Sequence, residues 1–91
     1  MTDMQKTMTW EAKTKEKFDA MIQRIPLFHR SLAQEVAVRQ AELNAQERGS
    51  DTVNEGDVVR AFFSEVPMAF YSLMIKLFQD VGFDYKRYEK E

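Results

Sequence analysis

The residue that stands out chemically is His29, the only histidine of a chain that has no cysteine. A neutral imidazole is a common ligand for a metal ion or for the metal of a tetrapyrrole. On a helical wheel His29 lies beside Val36 at the edge of an apolar stripe, a position that is also typical of a boundary histidine donating one hydrogen bond. No Glu-x-x-His pair or second histidine accompanies it, so the sequence predicts no metal site. His29 is the one candidate for cofactor binding.

No set of residues indicates catalysis. None of the serines lies in the G-x-S-x-G context of a nucleophile elbow, and three isolated glycines do not form a phosphate-binding loop. The carboxylates are numerous but lie in polar stretches that do not favour acid–base catalysis. The sequence therefore predicts a non-enzymatic protein with no catalytic residues and no bound cofactor.

Composition indicates one folded domain. The chain has 91 residues, of which 44% are hydrophobic and 31% are charged, as in ordinary globular proteins. Its formal net charge is −2 and its basic residues are dispersed, which argues against nucleic acid as a partner. The absence of a long apolar run predicts no membrane span and no signal peptide, and hence a cytoplasmic location.

Apolar residues recur at helical spacing throughout, and no strand pattern occurs. We therefore predict an all-α fold: a small four-helix domain with a long central helix and no sheet. Residues 1–9 are predicted as a flexible N-terminus, 10–83 as the helical domain and 84–91 as a charged C-terminal tail. The predicted helices run from Trp10 to Ile25, from Pro26 to Arg48, from the cap at Asn54 to the stop at Pro67, and from Pro67 to Val81.

Local signals define the helix ends. Asn54 followed by Asp57 approximates a capping box, and Gly49 and Gly82 are placed to end helices in a left-handed conformation. Phe83 follows Gly82 and is expected to contact the preceding helix, as in a Schellman motif.

The second helix has apolar residues on several sides. One stripe contains Phe28, Leu32 and Leu43, and a separate stripe consists of alanines. We therefore expect this helix to be central and contacted from more than one side. Arg39 lies within the first stripe. Its aliphatic stem would cover apolar surface while its head reaches water, or its guanidinium would pair with a carboxylate or with an acidic group of a partner.

The fourth helix carries more apolar surface than one buried face requires. Its apolar arc spans roughly 220°, against the ~100° that a single buried face needs. The predicted partner-binding residues are Met68, Tyr71, Ile75 and Phe78. Met and aromatic residues are enriched in interfaces, so we expect this helix to dock on a protein partner or on a second copy. The alternative is that the rest of the chain covers it completely.

The order of these features resembles that of a known family. The matching segments are Trp10 with Ala12, Ile25-Pro26-x-Phe28-x-Arg30, the long helix to Arg48-Gly49, Thr52-Val53, and Asp57-Val58-Val59-x-Ala61. In this respect the chain resembles the C-terminal helical domain of the B subunit of light-independent protochlorophyllide reductase, over a little more than half its length. The resemblance implies an accessory domain beside a tetrapyrrole-reducing enzyme. It does not imply a reductase, because the cluster and substrate regions of that enzyme are not present.

Three functional hypotheses follow. The first is a protein-interaction module that docks through helix 4. The second, implied by the resemblance and by His29 with Phe28 and Trp10 near the hinge at Pro26, is the binding of a tetrapyrrole or similar flat apolar ligand. The third is a histone-like dimerisation domain, which a long helix flanked by shorter ones also resembles.

Overall fold

The computed structural model describes residues 8–88. Along the chain the elements are β1 (Thr9–Trp10), α1 (Ala12–Gln23), α2 (Leu27–Glu47), β2 (Thr52–Val53), α3 (Glu55–Glu65), a 3₁₀ turn (Met68–Phe70), α4 (Tyr71–Val81) and a second 3₁₀ turn (Tyr85–Arg87). The four helices confirm the predicted all-α character. The prediction of no sheet is wrong, because a short pair of strands is present.

The two strands are parallel and two residues long. Thr9 pairs with Thr52 and Trp10 with Val53, and the backbone N–H of Glu11 extends the ladder by donating to the carbonyl of Val53 at 3.0 Å. Segments this short carry no recognisable period-2 pattern. Because Trp10 belongs to β1, α1 begins two residues later than predicted.

The predicted helix ends are confirmed where side chains or glycine determine them. Asn54 and Asp57 form a reciprocal capping box at the start of α3. Gly49 and Gly82 have φ values of 78° and 89°, a region that favours glycine. After Gly82, the N–H of Phe83 donates to the carbonyl of Phe78 at 2.9 Å, and the two rings meet edge to face with centroids 5.7 Å apart.

The innermost helix is α3, not the longer α2. α3 buries both polar and apolar residues, and its Phe62 ring lies between those of Phe18 and Phe78. By contrast, the residues that α2 buries are Ala37, Ala41 and Ala45. These small side chains allow α3 to approach closely, while the large apolar residues of α2 remain on its other side. The expectation that α2 is the central helix is therefore wrong, although α1, β2 and α3 all contact it.

A buried carboxylate joins the end of α2 to the start of α3. The Asp57 side chain is fully buried, and Arg48 donates to its two oxygens from Nε at 3.0 Å and from Nη2 at 2.7 Å. Arg60 adds a longer contact of 3.4 Å. Hydrogen bonding to Asp57 raises the pKa of the Arg48 guanidinium above its ordinary value. Asp57 thus has a structural role in holding the two helices together.

The predicted tail begins with packed structure. The Tyr85 ring is buried and stacks on Phe78 at 5.8 Å, and the N–H of Asp84 donates to Glu55 at 2.6 Å. The domain therefore extends to residue 88 instead of ending at 83. Residues 89–91 of the predicted tail and 1–7 of the predicted flexible N-terminus lie outside the described residues.

Candidate binding groove

An apolar groove of about 550 Å³ opens between the first half of α2 and the bend that joins α3 to α4. Its polar side chains are His29 and Glu65. The apolar residues that line it are Met21, Ile25, Pro26, Leu32, Ala33, Val36, Ala37, Phe62, Val66, Pro67, Phe70, Leu73, Met74 and Leu77. We call this feature the α2/α4 groove.

The two prolines create the groove. Pro26 precedes α2 and Pro67 follows α3, and each ends a helix because proline cannot donate the backbone hydrogen bond that an interior position needs. After Pro67 the chain turns, so that α3 and the following helical segment are bent by 119°. Because of this bend, α4 does not pack along the first half of α2. The side of α2 that faces α4 is left exposed.

Three lining residues of the groove, Leu32, Phe70 and Leu73, are large and exposed, and the exposed Phe28 lies one turn of α2 before Leu32. Phe28 is 86% exposed, Leu32 66%, Phe70 57% and Leu73 53%. Together they expose on the order of 500 Å² of apolar surface, at the upper end of the range for the largest patch on a monomer. Patches of this size on soluble proteins commonly mark binding sites.

The four predicted partner-binding residues differ in their exposure to solvent. Met68 is 77% exposed, but Phe78 is fully buried and belongs to the core, so it drops out of the predicted docking surface. Tyr71 and Ile75 are half-buried against the core, and the Tyr71 hydroxyl donates to the carbonyl of Phe63 at 2.6 Å. The exposed apolar residues that face the groove are instead Phe70, in the 3₁₀ turn, and Leu73, in α4. The wide arc was visible in the sequence, but which side of it the other helices cover depends on tertiary packing.

His29 is exposed and lines the groove near the start of α2. Its ring centroid lies 5.8 Å from that of Phe28, so these two side chains are close to each other, as expected for a shared ligand site. Trp10 is not among the groove residues: its ring packs on Phe18 at 5.1 Å and its indole N–H donates to Glu42 at 3.1 Å. The groove thus combines an apolar floor with one accessible imidazole.

Residues 8–88 contain few other features of functional interest. No group of three or more metal-ligating side chains occurs there. No single helix of this part is long and apolar enough to cross a membrane, and one bent pair, formed by α3 and the segment 68–81, passes the same test jointly. Arg39 is exposed and lies 3.8 Å from Glu35 on the outside of α2.

Comparison of the chain with protein-family models, with curated proteins and with solved structures gives no match.

Proposed function

We propose that this protein is a non-enzymatic protein-interaction module that docks an apolar segment of a partner in the α2/α4 groove. The observation that carries the proposal is the open groove, with exposed Leu32, Phe70 and Leu73 among its lining residues. A partner that covers these side chains would gain about 25 cal/mol of binding free energy for each Å² of apolar surface removed from water.

A protein segment suits the shape of this surface. The groove lies between two helices and is open along its length, as in the helix-in-groove mode of recognition, where apolar anchors of an amphipathic helix enter a hydrophobic cleft. The resemblance to an accessory domain of a light-independent protochlorophyllide reductase subunit supports the same reading. In that setting a domain without catalytic residues acts by contacting a larger protein.

A site-specific photocrosslinker tests the proposal. A benzophenone amino acid at Leu73, on the groove wall, should give a crosslinked adduct with one defined protein in the source cells. The matched control is the same substitution at Leu27, which is 75% exposed but is not a groove residue. The identified partner should then bind the purified chain, and Leu73→Asp should weaken that binding at least tenfold while Leu27→Asp does not. Adducts that do not differ between the two positions would refute the proposal.

Binding of a flat apolar ligand is the second candidate, and the position of His29 favours it. A groove of about 550 Å³ falls within the usual range of small-molecule sites, ~300–1,000 Å³. His29 would bind the metal of a tetrapyrrole such as haemin. Haemin titration should shift the absorbance band of the pigment in the wild type and not in His29→Ala. No spectral difference between the two proteins at micromolar pigment would exclude this use of His29.

A further inference from the structure

The outer side of α2 carries a regular seam, which we define as His29, Leu32, Val36, Arg39 and Leu43. The intervals between these residues alternate between three and four, the spacing of the contact positions in paired helices. The seam lies away from the buried alanine stripe: Leu32 is 66% exposed and Leu43 42%, and Val36 is half-buried. Both leucines thus keep a large part of their surface open to solvent in the part of the chain that the structure describes.

Four residues of the seam, Leu32, Val36, Arg39 and Leu43, are placed symmetrically about the point between residues 37 and 38. Leu32 and Leu43 are equally far from this point, and so are Val36 and Arg39. Two antiparallel copies of α2 related by a two-fold axis at the midpoint would therefore place each Leu32 opposite Leu43 of the second copy. A surface that matches itself under such a rotation is what an isologous dimer requires.

Charge supports the same pairing. Glu35 and Arg39 are both exposed, with side chains 68% and 62% accessible. In the antiparallel arrangement Arg39 faces Val36 of the second copy, and Glu35 is the neighbour of Val36 in sequence. Each arginine would thus lie beside a glutamate of the other chain, and two such ion pairs would flank the centre of the interface.

The available area fits a dimer. A standard interface covers about 800 Å² on each partner, of which roughly 60% is apolar, or about 500 Å². The exposed parts of Phe28, Leu32, Phe70 and Leu73 supply an area of this order, and Leu43 adds to it. Since Leu32 and Val36 belong to both the seam and the groove wall, the two surfaces are continuous.

We propose that the partner that occupies this surface is a second copy of the chain, bound antiparallel through α2 about a two-fold axis near residues 37 and 38. This rests on the proposed function, in which the groove side of the molecule is a docking surface.

Sedimentation equilibrium across about 1–500 µM protein tests the proposal. The wild type should approach twice the 10.7 kDa mass of the chain. Leu32→Asp should raise the dimer dissociation constant about 100-fold or more, because each dimer contains two such contacts. Leu27→Asp is the matched control: Leu27 is equally large, belongs to the same helix and is 75% exposed, but lies about 140° around the helix from Leu32. Circular dichroism should show both variants folded.

A charge exchange tests the antiparallel register. Glu35→Arg alone and Arg39→Glu alone should each dimerise about tenfold more weakly than the wild type, because each places like charges across the two-fold axis. Mixed together, the two variants should form a heterodimer of near wild-type affinity, since all the cross-chain pairs are then of opposite sign.

Three outcomes would overturn the inference: a wild-type chain that is monomeric at every concentration, equal effects of Leu32→Asp and Leu27→Asp, or a mixture that associates no better than its components. A crosslinked adduct from Leu73 to a different protein, with a monomeric wild-type chain, would refute the second copy while leaving the docking function intact. An absence of any specific adduct together with a monomeric chain would refute both.

Discussion

Replacing Arg48 with methionine should lower the free energy of unfolding by about 3 kcal/mol, because it leaves the fully buried carboxylate of Asp57 without its main partner. Methionine keeps much of the aliphatic volume of arginine, so the change removes the charge, the two hydrogen bonds to Asp57 and a third to the carbonyl of Thr52 at 2.9 Å, with little loss of packing.

The magnitude follows from the geometry. Removing one partner of a buried ion pair typically costs ~3–5 kcal/mol. Here the lower end applies, because the Arg48 side chain is 38% exposed and Asp57 retains the backbone N–H of Asn54 at 2.9 Å and Arg60 at 3.4 Å. In a domain of this size 1 kcal/mol shifts the Tm by about 4–8 °C, so Arg48→Met should melt roughly 15 °C lower than the wild type.

The assay is urea and thermal unfolding followed by far-ultraviolet circular dichroism. Arg60→Met is the matched control: Arg60 contacts the same carboxylate at a longer distance and is 40% exposed, so its loss should cost less than about 1 kcal/mol. Arg48→Met/Asp57→Asn should be more stable than Arg48→Met alone by about 1 kcal/mol or more, because the unpaired buried charge is gone.

Equal destabilisation by Arg48→Met and Arg60→Met would refute this reasoning, since the difference between the two contacts would then have no energetic consequence. A double variant less stable than Arg48→Met would refute it as well, because the cost would not come from the stranded carboxylate.

Three further changes should be checked by the same unfolding measurements. Gly82→Ala should cost about 1 kcal/mol, because φ is 89° at this position and side chains disfavour the left-handed region; an unchanged midpoint would contradict the Schellman assignment. Tyr71→Phe should also cost about 1 kcal/mol through loss of the 2.6 Å hydrogen bond to the carbonyl of Phe63, and a cost near zero would mean that this bond contributes nothing net. Ala41→Leu should cost about 2 kcal/mol, because Ala41 is fully buried on α2 and a larger side chain would push the packed helices apart; Ala12→Leu, at the exposed start of α1, is its control and should be nearly neutral.

The features predictable from the sequence are those determined by a few neighbouring residues. The capping box at Asn54 and the end of α4 at Gly82 each depend on side chains or backbone angles within one turn of helix. The helical class follows in the same way from apolar spacing. These local signals do not depend on how the helices pack against each other, and the structure contains both the capping box and the left-handed glycine.

The features that could not be predicted from the sequence depend on which faces of the helices pack against each other. α2 offers a stripe of large apolar residues and a stripe of alanines, and hydrophobicity alone favours burial of the first. The structure buries the alanines because close approach to α3 brings Val58, Val59 and Phe62 into the core, and Phe28 and Leu32 stay outside. For the same reason Phe78 of α4 is in the core and Leu73 is on the groove wall.

The short strand pair bears on how the protein can be handled. Thr9 lies beside Thr52, and Tyr88 approaches Gly56 so closely that a Cβ there would meet the tyrosine ring at 2.8 Å. Both ends of the described chain are therefore anchored where α2 joins α3, at the far end of these helices from the α2/α4 groove. A biosensor chip that holds the molecule at Thr9 or at Tyr88 would therefore leave the groove on the side away from the point of attachment.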